Sequence, residues 1–120
     1  MRKLINSFKY AFKGLFIALK EQQNLRLHAV AIGVVTIAGI FLRLSAIEWA
    51  IIALTIGFVI AMEMTNTALE ELVDLVSPQY HEKAGKIKDI AAGAVLTAAI
   101  IAVVVAIYIF GNRIFDLLFF

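Results

Sequence analysis

The residues from Ile90 to Phe110 carry no charge, and neither do those from Ala29 to Leu42 or from Trp49 to Met62. A helix needs roughly 20 predominantly apolar residues to cross the hydrocarbon of a bilayer. The last run is long enough to span alone. The first is short, but Leu25 and Leu27 extend it at one end and Arg43 can snorkel from the other. The middle run opens on Trp49, where an interfacial aromatic belongs, and runs directly into Glu63. This pattern predicts an all-α membrane protein with spans at about 25–43, 47–64 and 90–110. Composition agrees, because 62% of the 120 residues are hydrophobic against about 45–50% in soluble domains. The length allows one domain. A chain this short cannot enclose a polar site by itself, so an oligomer is expected.

The segment before the first span, residues 1–24, has a different character. Leu4, Phe8, Ala11, Phe12, Leu15 and Leu19 recur at helical spacing, and Lys9, Lys13 and Lys20 share another face. That is the pattern of an amphipathic helix lying in the membrane interface. A signal peptide does not fit, because lysines interrupt the apolar run and no small-residue cleavage site follows.

Charge placement predicts the topology. Six of the eleven Lys and Arg residues lie at or before Arg26, and Lys83, Lys86 and Lys88 lie between the second and third runs. Only Arg43 and Arg113 fall on the other side. By the positive-inside rule the N-terminus and the 63–89 segment face the cytoplasm. Ser77-Pro78 is a helix-start signal, so a helix is expected from Pro78 into the third span. Gly111-Asn112 is expected to end it.

The absence of cysteine excludes disulfides and thiolate metal sites, and two histidines are too few for a typical zinc enzyme. A net charge of +2 says little by itself, and no nucleic-acid partner is expected. The chemistry is concentrated in 63–89. At about 100° per residue, Glu63, Glu70 and Asp74 fall close to one line, flanked by Asn66 and Thr67. Hard oxygens in this arrangement suit Mg²⁺, which binds through one or two carboxylates plus substrate phosphates. Glu63 follows an uncharged run, and an ionisable group at that depth is costly and points to function. A solvated acidic face explains Glu71 better. Further on, His81, Gly85, Lys88 and Ala92 share a helical face that could admit a polyphosphate. Lys83 and Lys86 need no more than positive-inside anchoring. There is no GxxxxGK[ST] or GxGxxG loop, so any nucleotide is held by another device.

The run EMTNTALEELVDLVSPQYHEKAGKIKDIAAGAVL, residues 63–96, resembles the signature of the prokaryotic diacylglycerol kinase family, which includes the undecaprenol kinases. Tyr10-Ala-Phe-Lys-Gly-Leu15 and the Asn24-x-Arg-x-His28 stretch match as well. The resemblance implies a homotrimer of chains with one interfacial helix and three spans, in the bacterial cytoplasmic (inner) membrane. Composite sites between subunits would transfer the ATP γ-phosphate, with Mg²⁺, to a lipid hydroxyl. It assigns Glu63 as catalytic base and Glu70 as a metal ligand. Tyr10, Asn66, Gln79, Tyr80, His81, Lys88 and Asp89 fall at nucleotide positions, and Glu63, Ala92 and Lys3 at the lipid side. The family's second metal glutamate aligns with Gln22, with Glu21 one residue earlier, so either Glu21 or Gln22 would serve. Ile47-Glu48-Trp49 and Ala92 look more like the undecaprenol branch than the diacylglycerol branch. Two other classes compete: a small oligomeric ion- or drug-coupled transporter with a lone membrane glutamate, and a scaffold whose charges only set topology.

Overall fold

The computed structural model describes residues 1–119. Four helices account for nearly all of them: α1 (Arg2–Glu21), α2 (Gln23–Phe41), α3 (Ala46–Val76) and α4 (Glu82–Phe119). No strand occurs among the described residues. The last three helices are each long and apolar enough to cross a membrane. At ~1.5 Å per residue α3 and α4 run about 46 and 57 Å, well beyond ~30 Å of hydrocarbon. Their ends therefore project past the apolar layer.

The surface is that of a chain meant to be covered. It exposes 9440 Å², whereas a compact soluble monomer of 13.2 kDa exposes roughly 6,400 Å². Ile100, Val103, Val104 and Ile107 on α4, and Val30, Val34 and Ile37 on α2, point outward. The internal core is thin: Leu44, Ile52 and Ile109, with Val35, Trp49, Ile56, Val105 and Phe110 packed around them. The largest interface is between the antiparallel α3 and α4.

The α2–α3 turn is built from local chemistry. Leu44 N–H donates to Gly39 O (3.0 Å) and Arg43 N–H to Ile40 O (3.2 Å). This pair of bonds is the Schellman ending, which needs a left-handed residue at its centre. Arg43 takes that conformation, with φ 53°. Ser45 then caps α3, its Oγ accepting from Glu48 N–H while the Glu48 carboxylate accepts from Ser45 N–H. Trp49 lies directly over Gly39, where a Cβ would stand 2.7 Å from the indole ring. Glycine at 39 is therefore a condition of the close α2–α3 approach. Arg113, on α4, donates to both oxygens of Glu48 and ties the far end of α4 to this turn.

Two sequence expectations are corrected. Helix α4 starts at Glu82, not at Pro78. Ser77 leaves helical geometry, as the residue before a proline tends to, and its Oγ donates to Gln79 O (3.2 Å). His81 supplies the cap instead: its Nδ1 accepts from Lys83 N–H (3.2 Å). Nor does α4 end at Gly111-Asn112, because the helix continues through to Phe119. An interior glycine costs only about 1 kcal/mol. The Glu48–Arg113 pair holds the turn just beyond it, and Phe115 and Phe119 stack with centroids 4.8 Å apart.

The amphipathic α1 buries only Ala18. It separates from α2 at Gln22, whose backbone is extended (φ −99°, ψ 115°). The amphipathic helix thus ends at Glu21, and Gln22 forms an elbow rather than part of either helix.

Candidate active site

Helix α3 carries the carboxylate stripe out of the apolar layer, and burial falls along it. Glu63 is the one buried charged residue among those described, 7% exposed. Glu70 is half-buried, while Asp74 and Glu71 are exposed. The stripe is thus graded, from a shielded carboxylate to solvated ones.

Glu63 meets a partner from α2. His28 Nε2 lies 3.1 Å from Glu63 Oε1. The hairpin brings them level, since His28 is about 21 Å before the turn and Glu63 about 25 Å after it. From His28 toward the core, between α2, α3 and α4, runs a cavity of about 260 Å³ with almost wholly apolar walls, which include His28, Ile60, Val59, Ile52, Val35 and Phe110.

One turn further along, Asn66 Nδ2 donates to Glu70 Oε1 (3.0 Å). Asn66 Oδ1 is buried with no hydrogen-bond partner. An orphaned amide oxygen beside a carboxylate is a pair of hard oxygen donors, the kind that Mg²⁺ prefers. The residues present therefore fit such a cation. No three His, Asp or Glu side chains converge as a complete cage among the described residues of one chain. Glu21 is exposed at the end of α1, and Gln22 is half-buried at the elbow.

The α3–α4 loop forms a second cavity, of about 240 Å³, which gathers Gln79, Tyr80, His81 and Lys88 with Asp74 and Gly85. Four of the expected nucleotide residues thus share one hollow. Lys88 Nζ pairs with Asp74 Oδ1 across it. His81 accepts at Nδ1, so its ring hydrogen is on Nε2. Tyr10, Asn66 and Asp89 do not line this cavity. Tyr10 and Asp89 are exposed, as are Lys3 and Ala92 on the expected lipid side.

A protein-family profile described as prokaryotic diacylglycerol kinase matches residues 9–110. This chain belongs to that family. It is 38% identical to the undecaprenol kinase of Bacillus subtilis, over 92% of this chain and 89% of that protein. It is 49% identical to the diacylglycerol kinase of Synechocystis sp., over 85% of this chain but only 59% of that protein. The Escherichia coli diacylglycerol kinase is 31% identical over 85% of this chain and 84% of its own length.

His28 is the residue that sequence reasoning left out of the site. In the sequence it stands only as the end of the Asn24-x-Arg-x-His28 stretch. The signal was available: residues equally far from a tight turn in an antiparallel helix pair lie side by side.

Proposed function

We propose that this chain is an ATP- and Mg²⁺-dependent lipid kinase whose acceptor is the hydroxyl of a membrane lipid, undecaprenol or diacylglycerol. The observation that carries the reading is the buried Glu63, bonded to His28, which lines an apolar cavity. A base in that place meets a lipid hydroxyl where it already lies, and the tail need not leave the bilayer. Family membership supports the phosphotransfer class. Relatives named for both acceptors match well, and the Ile47-Glu48-Trp49 spelling favours undecaprenol.

Phosphoryl transfer asks the protein mainly for positioning and charge compensation. Glu63 takes the hydroxyl proton as the oxygen attacks the γ-phosphorus; the bond to the β-phosphate oxygen breaks and ADP leaves. Lys88, released from Asp74, and His81 Nε2–H offer donors to the phosphates, and Tyr80 and Gln79 lie beside them. Glu70 and Asn66 Oδ1, with Glu21 or Gln22, would hold Mg²⁺, which when bound offsets the charge on the transferring group. Tyr10, Asp89, Lys3 and Ala92 stand outside the two cavities of a single chain. The 240 Å³ hollow is also below the roughly 300–1,000 Å³ of a closed ligand pocket. Both points support a homotrimer in which a neighbouring chain supplies the remaining wall. The basic residues of α1 and of the first turns of α4, Lys83, Lys86 and Lys88, support a cytoplasmic site in a bacterial inner membrane.

The test is phosphate transfer from γ-labelled ATP by purified protein with Mg²⁺ and each lipid in turn. Labelled lipid is expected with at least one acceptor. Proton-coupled flux in liposomes without ATP consumption would replace the kinase with a transporter.

A further inference from the structure

Glu63 is buried, and a buried carboxylate free to rotate would make a poor base. Its position on α3 fixes the Cα, but two side-chain torsions and the carboxylate plane remain. The structure supplies one directional contact, from His28 Nε2 to Oε1 at 3.1 Å. An ionised carboxylate only accepts hydrogen bonds, so the imidazole hydrogen sits on Nε2. The geometry points to His28 as the positioning residue of Glu63: its Nε2–H pins Oε1 and presents Oε2 to the acceptor hydroxyl. This inference rests on the kinase reading and deepens it.

Three observations support a positioning role over a packing role. The contact is polar and directional, between helices that pack together less extensively than α3 and α4 do. The histidine side chain is 30% exposed and the glutamate 9%, so the pair is shielded without being sealed off. His28 also lines the apolar cavity, so it touches the place from which a lipid hydroxyl would approach. The proton balance is unchanged by it. Glu63 gains the hydroxyl proton, the oxygen–phosphorus bond forms as the bond to ADP breaks, and His28 keeps its own hydrogen throughout.

The experiment compares His28→Leu and His28→Gln with the native enzyme in one detergent. Glutamine places an amide N–H near the position of Nε2. A lost orientation contact of this kind costs on the order of 10²-fold. His28→Leu is therefore expected to lower kcat by about 10²-fold with the KM for ATP unchanged, and His28→Gln to recover most of that loss. A packing role would instead lower the yield of folded protein in His28→Leu and leave kcat per folded enzyme intact, which would overturn the inference. A second readout works without turnover. In ¹⁵N spectra the His28 ring is expected to show a protonated Nε2 whose shift moves in Glu63→Gln and stays put in Glu70→Gln. A His28 signal indifferent to Glu63 would overturn the inference even where His28→Leu fails to fold. Native enzyme that labels no lipid would overturn the kinase reading, while the nitrogen spectrum would still report on the His28–Glu63 contact.

Discussion

Helix α3 carries Glu48 near one end and Glu63 past its middle, and the two glutamates live in opposite circumstances. Glu48 is fully engaged: Arg113 bonds both its oxygens, and Ser45 N–H bonds one as part of the cap. Around it the Schellman turn, Trp49 over Gly39 and the core of Leu44, Ile52 and Ile109 close that end of the molecule. At the other end polar groups are left over. Glu63 has a single partner, Asn66 Oδ1 has none, the α3–α4 hollow opens there, and the apolar cavity runs from His28 down to the core. A residue type alone does not separate structure from function. What separates them is whether the hydrogen-bonding capacity is used up within the fold or held available. Satisfied groups stabilise the hairpin, and unsatisfied ones cost stability that a ligand must repay.

The largest effect expected from this contrast is on turnover. Glu63→Gln keeps the shape and an acceptor oxygen for His28 but removes the base, and kcat should fall by about 10²–10⁴-fold. The oligomer should survive in detergent, which size-exclusion chromatography checks. Next comes Glu70→Gln. It removes a charge beside the orphaned Asn66 oxygen, and the Mg²⁺ concentration for half-maximal activity should rise by about 10- to 100-fold. A titration with Mg²⁺ reads this directly, and an unchanged curve would remove Glu70 from the metal site.

At the closed end the effects should appear in stability. Gly39→Ala forces a methyl against the Trp49 ring, and overpacking of this kind typically costs about 1–3 kcal/mol. Thermal unfolding in detergent should show a lowered midpoint, with kcat per folded molecule unchanged. The smallest effect is at the α4 start. His81→Ala removes a side-chain cap, worth about 0.5–2 kcal/mol in comparable helices. It should fray the first turn in hydrogen exchange and raise the KM for ATP, because the same ring faces the α3–α4 hollow.

Much of this was legible before the structure. Three uncharged runs sufficed for three membrane helices, because lipid tolerates little else. Glu63 stood out because charge is rare at that depth, and the stripe of Glu63, Glu70 and Asp74 followed from helical arithmetic. What escaped was decided across elements or by local competition. The His28–Glu63 contact joins residues 35 positions apart and depends on hairpin register. His81, Gly85 and Lys88 do line one hollow, but the sequence did not show that His81 does so while capping α4 and Lys88 while paired with Asp74. Ser77-Pro78 reads equally as a stop for α3 and a start for α4, and here the stop prevails. Gly111 reads as a terminator only where nothing beyond it holds the helix, and Arg113 does.

The measurement that bears most directly on the account is labelled-phosphate transfer from γ-labelled ATP to lipid by the native protein, Glu63→Gln and Arg113→Met, side by side. Native protein and Arg113→Met should both yield labelled lipid at similar rates per folded enzyme, with Arg113→Met unfolding at a lower temperature. Glu63→Gln should yield almost none while unfolding near the native midpoint. Labelled lipid from Glu63→Gln at a rate within about tenfold of native, a barrier change of no more than about 1.4 kcal/mol, would contradict the assignment of chemistry to this end of the molecule.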